Sequence, residues 1–176
     1  MPLSLYNKYY AQFFVESNRI EQQMTEAVSL LSEVKRIFFI GNGGSNSICS
    51  HMMEDYLKIA KFQTFTFSDP ALITCFANDY GYENAMKEWV KAYFTKDDLL
   101  IAISSSGESP NILNAVNTAK ELGGKVITLS GFKERNTLSE SGMINFYLPA
   151  ENYGIVECFH QVILHGVLDE FASNNN

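Results

Sequence analysis

Apolar residues recur along the 176-residue chain with two distinct spacings. In the first 34 residues they fall near every third or fourth position, which is typical of a helix with one apolar face. These positions are Leu5, Tyr9, Phe13, Ile20, Met24, Val28 and Leu31. The next apolar run, residues 36–40, is short, continuous and followed by Gly41. Such runs are typical of strands that are buried on both faces. The pattern thus predicts a long helical segment that leads into a sheet.

The rest of the chain alternates between the two patterns. Strands are predicted at residues 36–40, 63–67, 99–103, 125–129 and 143–148. Helices are predicted at residues 44–60, 82–94, 109–122 and 155–171. Strands that alternate with helices form βαβ units, whose right-handed crossovers place helices on both faces of a parallel sheet. We therefore expect a three-layer α/β fold with a five-stranded parallel sheet, flavodoxin-like or Rossmann-like, preceded by a long N-terminal helix.

No linker, internal repeat or low-complexity tract divides the sequence. We expect one domain over residues 1–176, with an α/β core at 35–172. The preceding segment, residues 1–34, is expected to serve oligomerisation, because aromatic residues are enriched at interface cores. Its aromatic residues are Tyr6, Tyr9, Tyr10, Phe13 and Phe14.

Composition narrows the classes of partner. With 13 basic and 20 acidic residues the net charge is −7, which disfavours nucleic acid and anionic membranes as partners. The three cysteines are an odd number without CxxC spacing, as expected for free thiols in a reducing compartment. No signal peptide or membrane-spanning run is evident, so a cytoplasmic protein is predicted.

A glycine-rich loop, Gly41-Asn42-Gly43-Gly44-Ser45, follows the first predicted strand and opens a helix. Glycines let the backbone approach a ligand, and the free N–H groups of a helix N-terminus attract anions. The simpler interpretation of this loop is a tight strand-to-helix turn that binds no ligand. A dinucleotide fingerprint would need glycine at Asn46, so no nucleotide cofactor is expected.

A serine-rich loop follows the central predicted strand. Its hydroxyls belong to Ser104, Ser105, Ser106 and Ser109, and Pro110 begins the next helix. Hydroxyls and backbone amides at a helix N-terminus hold a phosphate without lysine or arginine. Ser109 has the simpler alternative role of an N-cap. Because ligands of doubly wound sheets bind where the strand order reverses, we expect both loops to line one site.

The two loops together, GNGGS and SSSGES, resemble the SIS (sugar isomerase) family and, within it, the phosphoheptose isomerase branch. The resemblance extends over residues 38–171 and includes the segments 78–82 and 126–131. It implies phosphate or sugar binding by Asn42, Gly43, Gly44, Ser45, Asp79, Ser104, Ser105, Ser106 and Ser109. It also implies a homotetramer with active sites at subunit interfaces.

The resemblance further implies an acid–base pair and a metal site. Asp55 would be the base, where the family has glutamate, and His165 the acid; Glu54 is a lesser candidate for the base. His51, Asp55, Glu157 and His165 would form a mixed N/O site for zinc or a similar divalent ion. In isolation, a partly buried histidine at His51 and a solvated carboxylate at Asp55 would be the simpler interpretations.

One geometric difficulty concerns Glu157, which stands where the family has glutamine. It lies eight residues before His165, about 12 Å along a helix, so the two reach one ion only with extended side chains or from different subunits. Other departures from the family fall among the residues expected to contact the sugar. Ile59 stands where the family has arginine, and Tyr153 and Gly154 lie where it has an Asp-Arg pair. The substrate is therefore not necessarily a heptulose.

The favoured function is a sugar-phosphate aldose–ketose isomerase acting through an enediol(ate), with a divalent metal assisting. A second hypothesis is a non-catalytic SIS protein that senses phosphosugars or associates with a replication initiator. A third is a purely structural oligomer. The altered residues favour binding alone, whereas the retention of His51, Glu157 and His165 favours an enzyme.

Overall fold

The computed structural model describes residues 3–15 and 18–175. Five strands are present: β1 (Arg36–Ile40), β2 (Gln63–Thr66), β3 (Asp98–Ser104), β4 (Lys125–Ser130) and β5 (Ile144–Tyr147). The α-helices are α1 (Ser4–Val15), α2 (Asn18–Leu31), α3 (Gly44–Lys58), α4 (Pro70–Tyr80), α5 (Tyr82–Tyr93), α6 (Pro110–Glu121) and α7 (Tyr153–Asn174). A short 3-10 turn, Leu138–Glu140, precedes β5.

The strands form one parallel sheet in the order β2-β1-β3-β4-β5. This is the flavodoxin-like order, and it reverses direction between β1 and β3. Since Arg36 pairs with Asp98 and Ile40 with Ala102, the loops that leave the carboxyl ends of β1 and β3 are neighbours. The predicted five-stranded α/β fold is confirmed.

Apolar residues are buried on both faces of the sheet. One core includes Phe39 and Ile101 and is covered by helices on the side of α2, α3 and α7. The other includes Phe38 and Leu100 and is covered by α5 and α6. All seven residues of β3 are buried, as its continuous apolar run predicts.

The helical prediction for the first 34 residues corresponds to two helices, α1 and α2, and the two residues between them lie outside the described part of the chain. α1 packs on α7 through an edge-to-face contact between Phe13 and Phe159. The side chain of Phe14 is not among those the structure describes. The assignment of this segment to oligomerisation stays a prediction.

Helix α4 is absent from the sequence prediction. Its Asp69 N-cap accepts a hydrogen bond from the Leu72 backbone N–H at 2.9 Å, and Pro70 occupies the first turn. Both are standard helix-start signals. None of its residues is fully buried, so it lacks the buried apolar stripe by which the other helices were recognised.

Along residues 3–15 and 18–175, no helix combines the length and apolar character needed to cross a bilayer.

Candidate active site

The glycine loop after β1 and the serine loop after β3 enclose a small cavity of about 150 Å³. Its lining consists of five serines (Ser45, Ser104, Ser105, Ser106 and Ser109) together with Asn42, Ile103, Tyr153 and Glu157. The structure thus brings the two predicted loops together. Helices α3 and α6 begin beside this cavity, and Tyr153, the first residue of α7, also lines it, so helix N-termini give it the electrostatic character of an anion site.

Ser104 is the centre of the serine loop. Its Oγ lies 3.0 Å from Ser109 Oγ and 3.5 Å from Ser106 Oγ, and it accepts a hydrogen bond from the Gly107 backbone N–H at 3.2 Å. Ser109 occupies the N-cap position of α6 without a side-chain capping bond. Its hydroxyl contacts Ser104 instead, so the side chain does not cap α6 here.

Ser105 is 5% exposed, and its hydroxyl has no hydrogen-bond partner. A buried hydroxyl without a partner costs free energy that a ligand oxygen could recover. Ser105 also lines the cavity, so its hydroxyl is an unsatisfied polar group beside the expected ligand.

Residues outside the cavity lining also contact the serine loop. The Glu108 carboxylate accepts hydrogen bonds from the backbone N–H and the hydroxyl of Thr137, at 2.9 and 2.8 Å, and these bonds lower the pKa of Glu108. Gly107 has φ +69° and abuts the buried Asn136 side chain, so a Cβ there would be both strained and obstructed. These contacts constrain the backbone of the loop at Gly107 and Glu108.

The glycine loop begins α3. Gly43, the N-cap residue, has φ +55° and makes no side-chain capping bond. A Cβ at Gly44 would lie 2.5 Å from both carboxylate oxygens of Glu157, so the carboxylate packs against Gly44 and would have to move for any larger residue. This contact places the start of α7 against the start of α3.

An amide network that was not predicted orients Asn42. The Asn111 amide donates to Asn42 Oδ1 at 2.8 Å, and the Tyr82 hydroxyl donates to the same oxygen at 2.8 Å. Asn111 is buried at the beginning of α6. In the sequence, the position of Asn111 just after Pro110 marks it as part of a helix start. Nothing local indicates its partner, Asn42, which lies 69 residues away.

A group of three potential ligands lies farther along α3 and α7. The Asp55 Oδ2 atom is 3.1 Å from His51 Nε2 and 3.7 Å from His165 Nδ1. One potential ligand atom from each of the three residues lies within 4.8 Å of the other two. The histidine rings are perpendicular, with centroids 5.3 Å apart. Seven residues of helix separate Gly44 from His51, so this group lies about 10 Å from the cavity along α3.

Gln161 bridges the two rings. Its Nε2 atom is 3.5 Å from His51 Nδ1 and 3.5 Å from His165 Nε2. Gln161 lies four residues from both Glu157 and His165 on α7, and it is not among the predicted site residues. The amide thus contacts, on each ring, the nitrogen that does not face Asp55.

Three other candidates lie apart from the three-residue group. Glu157 lines the serine cavity, which was not predicted, and within this chain it does not join the other three potential ligands. Asp79 is exposed on α4, with contacts to Asn78 and Cys75, and neither the serine cavity nor the potential ligand group includes it. Glu54 is exposed and outside the group.

His160 is a structural histidine. It is fully buried, its Nε2 lies 3.2 Å from the Ser130 carbonyl oxygen, and Nδ1 has no partner. Burial lowers its pKa to about 4, so the ring is neutral at physiological pH.

A larger cavity of about 360 Å³ lies between α1, α2 and the end of β5. Its lining includes Tyr9, Arg19 and Tyr147 but no residue of the glycine or serine loop. We therefore take the smaller, serine-lined cavity as the candidate binding site.

Comparison with known proteins matches residues 7–131 to the SIS domain family. The chain belongs to this family. A phosphoheptose isomerase of Fusobacterium nucleatum is 32% identical and covers 95% of this chain and 93% of its own length. A phosphoheptose isomerase of Cytophaga hutchinsonii is 35% identical, over 88% of this chain and 86% of its own. The predicted resemblance to the SIS family and its phosphoheptose isomerase branch is confirmed.

Solved structures agree with this assignment. A phosphoheptose isomerase from Francisella tularensis superposes with a TM-score of 0.82 at 26% identity, covering 96% of this chain and 94% of that one. The phosphoheptose isomerase of Neisseria gonorrhoeae, at 24% identity and a TM-score of 0.77, shares the fold over 96% of this chain and 99% of that one.

Proposed function

We propose that the protein is a sugar-phosphate aldose–ketose isomerase, which moves a proton between C1 and C2 of its substrate through an enediol(ate). Its curated relatives, named phosphoheptose isomerases, support the reaction class. The observation that carries the proposal is the position of the Asp55 carboxylate between two histidines, on helices α3 and α7. The same two helices contribute Ser45 and Glu157 to the lining of the serine cavity. The sugar itself, a heptulose phosphate or another ketose phosphate, is left to experiment.

In this proposal the serine loop binds the phosphate. The side chains of Ser104, Ser105, Ser106 and Ser109 supply hydroxyls, while Asn42, Gly43, Gly44 and Ser45 approach from the other side. The dipoles of α3 and α6 provide positive potential without a cationic side chain. Asp79 is assigned to sugar contacts by resemblance alone. Binding the phosphate gives free energy at a point remote from the reacting carbons, which helps to position them.

The proton transfer is assigned to Asp55 and His165. The Asp55 carboxylate takes the proton from one carbon as its C–H bond breaks. The electron pair of that bond forms the C=C bond of the enediolate, and the carbonyl π electrons move to the oxygen. His165 moves the proton of the oxygens, and Asp55 returns its proton to the adjacent carbon. No oxidant or reductant is needed, because the two carbons exchange oxidation states.

The residues of the potential ligand group fit a divalent metal. Two imidazole nitrogens and a carboxylate oxygen are the mixed donor set that zinc favours, and they lie within 4.8 Å of one another. His51, Asp55 and His165 would hold the ion; Glu157 would join only across a subunit boundary. Bound there, a metal would polarise the substrate carbonyl and stabilise the enediolate. Asp55 would then divide its role between ligand and base.

Metal analysis of the purified protein is expected to find about one zinc or similar divalent ion per chain. Replacing His51 by alanine removes one ligand of three and should lower metal retention after dialysis by at least about tenfold. Inductively coupled plasma mass spectrometry measures both. Alanine at Met53, on the same helix but outside the group, is the matched control. Equal metal content in wild type and His51→Ala would reject this site.

We also propose a homotetramer with shared active sites. The potential ligand group is open at the surface, with 47% of the His51 side chain and 35% of the His165 side chain exposed. The exposed apolar residues Leu57 and Val162 lie on the same two helices, which supports cover by a neighbouring subunit. Three free cysteines support a reducing, cytoplasmic setting. By resemblance to the family alone, we propose that the enzyme acts in the synthesis of polysaccharide precursors.

The proposal is tested by hydrogen exchange at carbon. We expect incubation with ketose phosphates of four to seven carbons in deuterated water to incorporate deuterium at C1 or C2 for at least one member of the panel. Nuclear magnetic resonance of the recovered sugars locates the label. The same sugars without phosphate are the control and should exchange far less. Absence of exchange across the panel, with the metal supplied, would instead favour a non-catalytic phosphosugar-binding protein.

A further inference from the structure

The serine cavity has an unusual charge for a phosphate site. None of the residues that line it is lysine or arginine, and its one charged lining residue within the described chain is Glu157. No ion pair of the described residues neutralises this carboxylate. A phosphate that entered the cavity would therefore share about 150 Å³ with a negative charge.

The position of the Glu157 carboxylate is informative. Both oxygens lie against Gly44, where a Cβ would be 2.5 Å from each, and Gly44 begins α3. The N-cap, Gly43, makes no side-chain capping bond. The carboxylate therefore lies beside the N-terminus of α3, an end of a helix that favours an anion.

The serine hydroxyls are hydrogen-bond donors on the rest of the cavity lining. Ser105 is 5% exposed and its hydroxyl has no partner, whereas Ser104 and Ser109 are already hydrogen-bonded to each other. A ligand is thus favoured at the serine wall and disfavoured at the wall that Glu157 occupies.

We propose that Glu157 is a specificity-determining residue that sets the charge and position of the bound anion. It confines the phosphate to the serine wall and weakens the binding of a dianion more than that of a monoanion. The inference rests on the proposed function, because it takes the serine cavity as the phosphate site. Repulsion between two unit charges that share so small a cavity corresponds to at least about tenfold in affinity, and its free energy doubles for a dianion.

The test compares two small esters that differ in charge. At pH 8 methyl phosphate is a dianion, since the second pKa of a phosphate ester is about 6, whereas methyl sulfate is a monoanion. Neither carries sugar hydroxyls, so neither reports a hydrogen bond from sugar to Glu157. Dissociation constants are measured by titration of backbone amide resonances, which also shows that each variant is folded.

Glu157→Gln keeps the shape of the side chain and removes its charge. We expect it to tighten methyl phosphate binding by about tenfold or more and methyl sulfate binding by a smaller factor. Glu170→Gln is the matched control, because Glu170 is an exposed carboxylate on the same helix and outside the cavity. It should leave both affinities unchanged.

Unchanged or weakened methyl phosphate binding in Glu157→Gln would overturn the inference and leave the phosphate site standing. An equal gain in affinity for both esters, or the same gain in Glu170→Gln, would also overturn it. The effect would then not depend on the charge of the ligand or on the position of the replaced carboxylate. Absence of methyl phosphate binding to wild type and variant alike would reject the phosphate site, and the inference with it.

Discussion

Replacing Asp55 by asparagine should lower the rate of deuterium exchange into the substrate by about 10²- to 10⁴-fold, the usual contribution of a general base. The amide keeps the size of the side chain but cannot accept a proton from carbon. Substrate affinity should change little, because the phosphate is held about 10 Å away along α3. The exchange rate and the dissociation constant are measured on the ketose phosphate that exchanges fastest in wild type.

Glu54→Gln is the matched control. Glu54 precedes Asp55 on the same helix, but it is exposed and lies outside the three-residue group. It undergoes the same change from acid to amide, and its exchange rate should stay within about twofold of wild type. Wild-type exchange in Asp55→Asn, or equal loss in both variants, would remove Asp55 from the role of base.

The fold was predictable because the sheet is buried on both faces. β1 and β3 are continuous apolar runs, and each is followed by a loop of glycine or serine, so their alternation with helices was visible in the sequence. α4 was not visible, since none of its residues is fully buried and the local signals at Asp69 and Pro70 stand alone. A helix stabilised by its caps and by a half-buried face leaves little periodicity to detect.

The site was predictable where its residues are close in sequence. His51 and Asp55 share a helix face because they are four residues apart, and the serine loop is contiguous. The location of Glu157 depends on how closely α7 approaches Gly44, which is a tertiary packing detail. Asn111 and Tyr82 contact Asn42 across long separations in sequence, and no local pattern encodes such pairs.

The ion pair between Arg36 and Asp98 was missed for the same reason. They are the first residues of β1 and β3 and become neighbours only through the register of the sheet. Arg36 Nε and Nη2 donate to the two carboxylate oxygens at 2.8 and 2.6 Å. The backbone N–H and the hydroxyl of Thr95 donate to Oδ2 as well. The Asp98 side chain is 1% exposed, so this pair lies at the base of the sheet strands that carry the site.

Burial alone would raise the pKa of the Asp98 carboxyl, but the hydrogen bonds from Arg36 and Thr95 together outweigh it, and the pKa is lowered. A carboxyl whose pKa is lowered on folding stabilises the fold above its unfolded pKa, about 4. That stabilisation is lost as the pH falls through the lower, folded value. The pair therefore contributes fully at neutral pH.

Asp98→Asn should lower the free energy of unfolding at pH 7 by about 3 kcal/mol, because it leaves Arg36 partly buried without its counter-charge. Asp97→Asn is the matched control: the neighbouring Asp97 pairs with Lys35 at 3.2 Å, but the two side chains are 49% and 77% exposed. Such surface pairs contribute at most about 1 kcal/mol. Denaturant titration at one fixed protein concentration measures both, since subunit association also contributes to stability.

The pH dependence separates a charge effect from a packing effect. Below the folded pKa of Asp98 the wild-type carboxyl is protonated and resembles the asparagine amide in charge. The difference in stability between wild type and Asp98→Asn should therefore shrink as the pH is lowered from 7 through 4 toward that value. A difference that stays constant over this range would mean that Asp98 stabilises the sheet by shape and neutral hydrogen bonds, and equal losses in the Asp97 and Asp98 variants would contradict a special role for the buried pair.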